Sequence, residues 1–274
     1  MQSSVRFLRQ QWQLQHTGFG TRKESERTHQ RCQECHCGCW RKRRGRKISG
    51  YQPARHSDPA AGYHAAILDA DITGPSIPKI FGINKPAEAV DNSLLPHVTE
   101  SGVKIMSMNM LLPNATDPVL WRGPVISGVV KQFWEDVQWG DVDFLFVDMP
   151  PGTGDVPLTV FQSLPINGIL IVSTPQSLVS MIVDKAMNMA QMMQVPVLGM
   201  VENMRFLRCP DCGKEIPLFG SDDHVDNHTV PVLERIPLDP TVAAACDAGK
   251  LEQAEIDYLA KTAVMLTETF GKKQ

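Results

Sequence analysis

Asp143-Phe144-Leu145-Phe146-Val147-Asp148-Met149-Pro150-Pro151-Gly152-Thr153-Gly154-Asp155 is the stretch that decides the fold. Phe144 to Val147 form an unbroken apolar run, too short for a typical helix and rich in aromatic and branched types, so it predicts a strand buried on both faces. The carboxylate of Asp148 stands at its end. Pro150 and Pro151 then stop the strand, and Gly152 and Gly154 let backbone N–H groups approach a neighbour closely. In an open α/β sheet, ligands sit outside the carboxyl ends of the strands. An Asp held there ahead of a Gly-rich loop suits a Mg²⁺-bound phosphate; a polar turn with no further role has the same local signature.

The flanking elements repeat this alternation. His64 to Asp71 read as a strand ending in two carboxylates, Asp69 and Asp71, two apart and therefore on one side of the strand end. Ser76 to Gly82 read as a short helix or turn, and residues 103–112 alternate as a strand. A helix is predicted over 125–137 and a short one over 157–164. Gly168 to Thr174 form another apolar strand, a Met-rich helix spans 177–194, and Pro196 to Val201 form the next strand, with Asn203 just beyond it. An amide at that place can pair donor and acceptor with the edge of an adenine. Residues 230–240 give a last strand and a loop able to wall a base pocket, and a helix over 252–270 docks an apolar face on the sheet. The predicted class is α/β, a mostly parallel doubly wound sheet with helices on both faces.

A chain of 274 residues can bury one such domain with extensions. No apolar run reaches the roughly 20 residues a membrane span needs, and the N-terminus has no secretory h-region, so a cytoplasmic protein is expected. The charge is uneven. Residues 1–57 carry 13 Lys/Arg against 3 Asp/Glu, and residues 58–274 carry 14 against 27. Residues 1–62 also hold Cys32, Cys35, Cys37 and Cys39 with almost no apolar periodicity. They read as an aberrant, disordered segment ahead of a domain over 63–274.

A shifted reading frame accounts for that segment. Trp40 has one codon, TGG, and joining its GG to the next base gives Gly. Allowed codons for residues 41–48 then spell GKGGVGKS, a phosphate-binding loop. The same shift turns residues 35–40 into VIAVVG, a buried strand, and residues 49–61 into AVTSLLATRIQRL, whose apolar spacing is helical. Strand, loop and helix appear in order and run straight into Gly62. As printed, the chain carries no such loop, and Lys47 is not a phosphate lysine. A zinc site at Cys32, Cys35, Cys37 and Cys39 or a basic nucleic-acid arm are the alternatives. The i, i+2 cysteine spacing after one CxxC argues against zinc.

Cys209-Pro210-Asp211-Cys212-Gly213 is the sharpest metal signal in the chain. A CxxC with Pro and Gly makes a tight knuckle presenting two thiolates to one metal, half of what zinc or an iron–sulfur cluster requires. Cys246 stands alone. Completing the ligand set calls for a second copy of the chain, hence a two-fold homodimer; an unmetallated or redox CxxC is the competing reading.

With DADITGPS at 69–76, WRGP at 121–124, DMPPGTGD at 148–155, ENM at 202–204, CPDCG at 209–213 and PLDP at 237–240, the chain resembles the Mrp/ApbC family. These are iron–sulfur cluster carrier ATPases of the MinD-like P-loop class. The resemblance covers 63–270. It implies ATP, Mg²⁺ and a [4Fe–4S] cluster as ligands and hydrolysis of ATP as the activity. Asp71 would help activate the attacking water and Asp148 would sit at the Mg²⁺ site. Asp69, Gly152, Asn203, Pro237 and Asp239 would fall to the nucleotide. Cys209 and Cys212 would ligate a cluster shared across a homodimer and passed to apo iron–sulfur proteins. Neither nucleic acid nor membrane is implied as a partner.

The departure lies at the N-terminus, where family members carry the GKGGVGKS-type loop. Backbone N–H groups of that loop and of its helix N-terminus supply most of the phosphate grip, so the printed chain is expected to bind ATP weakly or not at all. Two other functions fit parts of the pattern. A MinD/ParA-like positioning or partitioning ATPase is disfavoured by the CPDCG knuckle and by a C-terminal helix lacking a basic amphipathic face. A non-enzymatic metal-binding scaffold fits the printed N-terminus.

Overall fold

The computed structural model describes residues 62–71, 74–90, 93–112, 123–219, 230–254 and 256–271, together with the backbone of 16–19. The runs Cys32 to Cys39 and Arg41 to Lys47, Arg122, and the expected character of 1–62 as a segment lie outside the described residues, those four positions and Gly62 apart.

Among the described residues, twelve strands, β1 (His16–Phe19), β2 (Ala65–Asp69), β3 (Glu88–Val90), β4 (Ser93–Leu95), β5 (His97–Val98), β6 (Lys104–Ser107), β7 (Phe144–Asp148), β8 (Gly168–Ser173), β9 (Val197–Glu202), β10 (Phe206–Arg208), β11 (Glu215–Pro217) and β12 (Val232–Arg235), are joined by six helices. The helices are α1 (Ile77–Ile80), α2 (Gly123–Glu135), α3 (Asp155–Ser163), α4 (Ser177–Met192), α5 (Pro240–Asp247) and α6 (Ala260–Phe270). Eight strands form the main sheet in the order β12-β9-β8-β1-β7-β2-β6-β5. The pairs β12/β9, β9/β8, β7/β2 and β2/β6 are parallel, which requires crossover connections and puts helices over the faces.

The pleat sorts the side chains. In the β2/β7 register Ala66 faces Leu145 and Leu68 faces Val147, and these join Val130, Phe133, Val160 and Val183 from α2, α3 and α4 in the main core. The opposite face carries Ala65, Phe144 and Phe146, and its alternation ends on the paired carboxylates Asp69 and Asp148. The strand that decides the fold therefore does two jobs: odd and even positions bury separate layers, and its last residue emerges at the functional end.

Three elements differ from expectation. The strand expected over 103–112 stops at Ser107, whose hydroxyl accepts from Asn109 N–H and starts a 3₁₀ turn over Met108–Leu111. The single helix expected over 252–270 is split into a 3₁₀ turn at Leu251–Gln253 and α6. The break comes where the Tyr258 hydroxyl is anchored to Asp239 (2.7 Å) and Ala260 N–H closes a turn on Asp257 O (3.0 Å). Most informative is the middle of the sheet. β1 lies there antiparallel to both β7 and β8, with Thr17 level with Asp148 on one side and Leu170 on the other. A strand pairing on both edges satisfies the N–H and C=O rows that β7 and β8 would otherwise leave open.

Candidate nucleotide and metal sites

The C-terminal ends of β2 and β7 bring three carboxylates together. Asp69 is fully buried; Ser107 Oγ donates to its Oδ2 (3.0 Å) and Asp71 N–H to its Oδ1 (3.2 Å). Asp71 Oδ1 accepts from Gly74 N–H (3.1 Å), folding the chain after β2 back on itself, and Ala70 N–H donates to Asp148 O (2.7 Å), locking the two strand ends in register. Burial drives the carboxyl of Asp69 up to about 7 against the hydrogen bond from Ser107, with the charge of Asp71 adding to the rise. Burial likewise holds Asp148 well above the ordinary carboxylate range, reinforced by Asp69 and Asp71. The charges acting on Asp148 are thus both negative. Such a cluster is poised to receive a cation and repels a bare phosphate.

Beyond Asp148, Gly152 takes φ +92, a conformation natural to glycine, and Gly154 caps α3 from an extended backbone. The loop delivers the chain from the carboxylate end of β7 into a helix N-terminus whose first turn carries Asp155. Asn203 sits just past β9 and is nearly buried. Its N–H donates to Ser173 O (2.7 Å), and its side-chain Oδ1 accepts from Met204 N–H (2.9 Å) across a turn in which Met204 has φ +53. The amide oxygen expected at an adenine edge is therefore already engaged within the chain. Pro237 and Asp239 line the same cavity as Asn203. Asp239 caps α5 by accepting from Thr241 N–H (2.8 Å) and also receives the Thr241 and Tyr258 hydroxyls (2.7 Å each). These bonds, Thr241 foremost, hold its carboxyl below the usual range.

Cys209 and Cys212 lie in the turn of the β10/β11 hairpin. Cys209 N–H donates to Lys214 O, Gly213 N–H donates to Cys209 O (2.9 Å each), and Gly213 turns the chain at φ +72. Backbone N–H groups of Cys212 and Asp211 face the Cys209 sulfur and lower its thiol pKa, so the knuckle favours thiolate. Both cysteines are free, and Cys212 is exposed. Among the described residues no three His, Cys, Asp or Glu side chains converge on a metal position. That is compatible with Mg²⁺, which takes one or two carboxylates and completes its shell with phosphate and water, and with a thiolate pair that is half of a shared set.

Sequence reasoning missed the group that ties these parts together. Glu202, the last residue of β9, is about 1 % exposed and lies 3.0 Å from Arg235 Nε and 3.6 Å from Arg205 Nε. Arg235 ends β12 and Arg205 leads into β10, so one buried carboxylate fixes the Asn203 turn between two strands and the base of the cysteine hairpin. The signal was a Glu directly after an apolar strand with Arg three residues on, which reads equally as a solvated turn.

A family model described as ParA, the NUBPL iron-transfer P-loop NTPase, matches residues 58–269. The chain is similar to the iron–sulfur cluster carrier protein of Clostridium perfringens, 43% identical over 203 residues covering 70% of this chain and 71% of that one. It is also similar to the protein of that description from Methanocaldococcus jannaschii, 44% identical over 193 residues covering 69% and 67%. Among solved structures, a nucleotide-binding protein from Archaeoglobus fulgidus in complex with ADP superposes with TM-score 0.63 at 39% identity, covering 72% of this chain and 79% of that one. The MinD cell division protein of Aquifex aeolicus in its complex with MinC superposes with TM-score 0.53 at 16% identity, covering 78% and 85%, a likeness of fold alone.

Proposed function

Because the chain belongs to the iron-transfer P-loop NTPase family of the NUBPL model, we propose that it is an iron–sulfur cluster carrier whose cargo is held between two copies by Cys209 and Cys212. The observation that carries the reading is the knuckle itself: two free cysteines on one tight hairpin, one of them biased toward thiolate, with no further pair among the described residues to close the ligand set. A [4Fe–4S] cargo takes four thiolates, two from each copy. Its release to an apoprotein is ligand exchange. Recipient thiolates replace those of Cys209 and Cys212 at iron, the protons lost by the incoming thiols are balanced by those the departing sulfurs take up, and no electron need move.

The nucleotide end has a matching division of labour. In this reading Asp148 would hold Mg²⁺, Asp71 would orient the attacking water and Gly152 would allow close backbone approach, supported by Asp69, which accepts from Ser107 and the Asp71 N–H. Asn203, Pro237 and Asp239 wall the space for a base. Mg²⁺ supplies charge neutralisation of the phosphates when bound. The printed residues 41–48 do not spell the loop that would grip those phosphates, so nucleotide control is weak in this polypeptide while the cargo site is intact.

Anaerobic reconstitution with ferrous iron and sulfide tests the cargo site. Absorbance in the visible region and a dimer by sedimentation are expected together, and both should disappear in Cys209→Ser and Cys212→Ser. A protein that stays monomeric and colourless under these conditions overturns the reading.

A further inference from the structure

The geometry of the cysteine knuckle opens a second chemistry to its two sulfurs. Gly213 N–H donates to Cys209 O and Cys209 N–H to Lys214 O (2.9 Å each), so residues 209–213 make one closed turn. Side chains three residues apart on such a turn are neighbours, and the Cys212 thiol lies within hydrogen-bonding reach of the Cys209 sulfur. The turn stands clear of its surroundings. Residues 210–217 are exposed, Cys209 is half-buried, and a methyl group added at Gly213 would meet no atom within 4 Å. There is room for the small backbone shift that takes two sulfurs from contact to a bond, and a dissolved reagent can reach them.

The remaining described thiol is built differently. Cys246 is half-buried on α5, where burial and the charge of Asp247 push its thiol up. Among the described residues, only the knuckle offers two thiols on one turn.

We propose that Cys209 and Cys212 form a thiol–disulfide switch closed by a small-molecule disulfide, the knuckle being either a dithiol open to cargo or an intrachain disulfide closed to it. In the first step the Cys209 sulfur attacks one sulfur of the reagent, forming a mixed disulfide and expelling one thiolate. In the second the Cys212 sulfur attacks the Cys209 sulfur and expels the other. The knuckle loses two electrons and two protons; the reagent gains both and leaves as two thiols. Because the second step is intramolecular, it outruns capture of another reagent molecule. A sulfur bonded to sulfur is no ligand to iron, so closure and cargo exclude each other. That exclusion rests on the carrier reading, whereas closure itself does not.

Glutathione disulfide added anaerobically to the full, metal-free, prereduced chain tests the switch. Tryptic peptide 209–214 holds both knuckle cysteines and no other. By mass spectrometry it is expected to become two hydrogens lighter and to carry no glutathione, ahead of any reaction at Cys246. In Cys212→Ser, glutathione should stay on Cys209, with a lifetime at least about tenfold longer than that of any adduct in the parent. Glutathione retained on both sulfurs of the parent, a bond from either to a cysteine elsewhere in the chain, or a peptide still reduced after Cys246 has reacted would each overturn the proposal. In a second arm the chain is first loaded with ferrous iron and sulfide, and closure should then slow about tenfold. Equal rates in a chain whose visible absorbance shows it loaded would overturn the exclusion. A chain that takes up no cluster yet closes its disulfide would support the switch and defeat the carrier reading alone.

Discussion

Replacing Asp69 by Asn in the nucleotide-free protein should change how stability depends on pH. The carboxyl of Asp69 ionises at 3.8 in an unstructured chain and at about 7 in the folded one, because burial penalises its charge. Below 3.8 both states are protonated and the group costs nothing. Between 3.8 and about 7 the unfolded chain has lost the proton and the folded one keeps it, so each pH unit removes about 1.4 kcal/mol of stability. The full span corresponds to about 4 kcal/mol, and the interval from pH 5 to 7 to about 2–3 kcal/mol, a large fraction of a domain's total. Asp148, also raised by burial, bends the curve in the same direction. The Asn variant keeps the local bonds: its Oδ1 can accept from Asp71 N–H and its Nδ2 can donate to Ser107 Oγ. Urea unfolding followed by circular dichroism at pH 5, 6, 7 and 8 measures the difference. The parent protein should lose stability as pH rises, with Asp69→Asn flatter and the more stable of the two at pH 8. A parent curve that rises from pH 5 to 7, or a variant with the parent's slope, would refute the claim that an ionised Asp69 is a strained state awaiting a cation.

Two other outcomes follow from the same geometry. Glu202→Ala removes the buried carboxylate paired with Arg205 and Arg235, and removing one partner of a buried ion pair costs about 3–5 kcal/mol, so thermal melting should fall by roughly 6–20 °C, with the cysteine hairpin disturbed as well. Titration calorimetry of the printed chain with Mg-ATP should show no saturation below about 1 mM, because residues 41–48 as printed do not spell the phosphate loop; a tight saturable isotherm would contradict this.

How much was visible in the residues varied by element. The runs at 144–147, 168–173 and 197–202 are short, apolar and bounded by breakers, so the strands and their C-terminal ends could be placed within a residue or two. The CPDCG hairpin was equally plain, since its proline and glycine dictate the turn. Less visible was everything set by distant partners. Asp239, read as a nucleotide residue, also caps a helix, with Thr241 and Tyr258 donating to its oxygens. Asn203 has its amide oxygen taken by the next backbone N–H. Periodicity over 252–270 could not reveal that Tyr258 is pulled toward α5, and no local pattern announced that residues 16–19 would pair with strands more than a hundred residues away.

The reversed β1 has a consequence for any other strand that would enter between β7 and β8. It pairs with both neighbours along its length, and a newcomer running the other way needs those same donors and acceptors. Entry there is therefore an exchange, with a barrier set by the departure of the four residues already in place, and a competing strand supplied after folding would be expected to go in slowly.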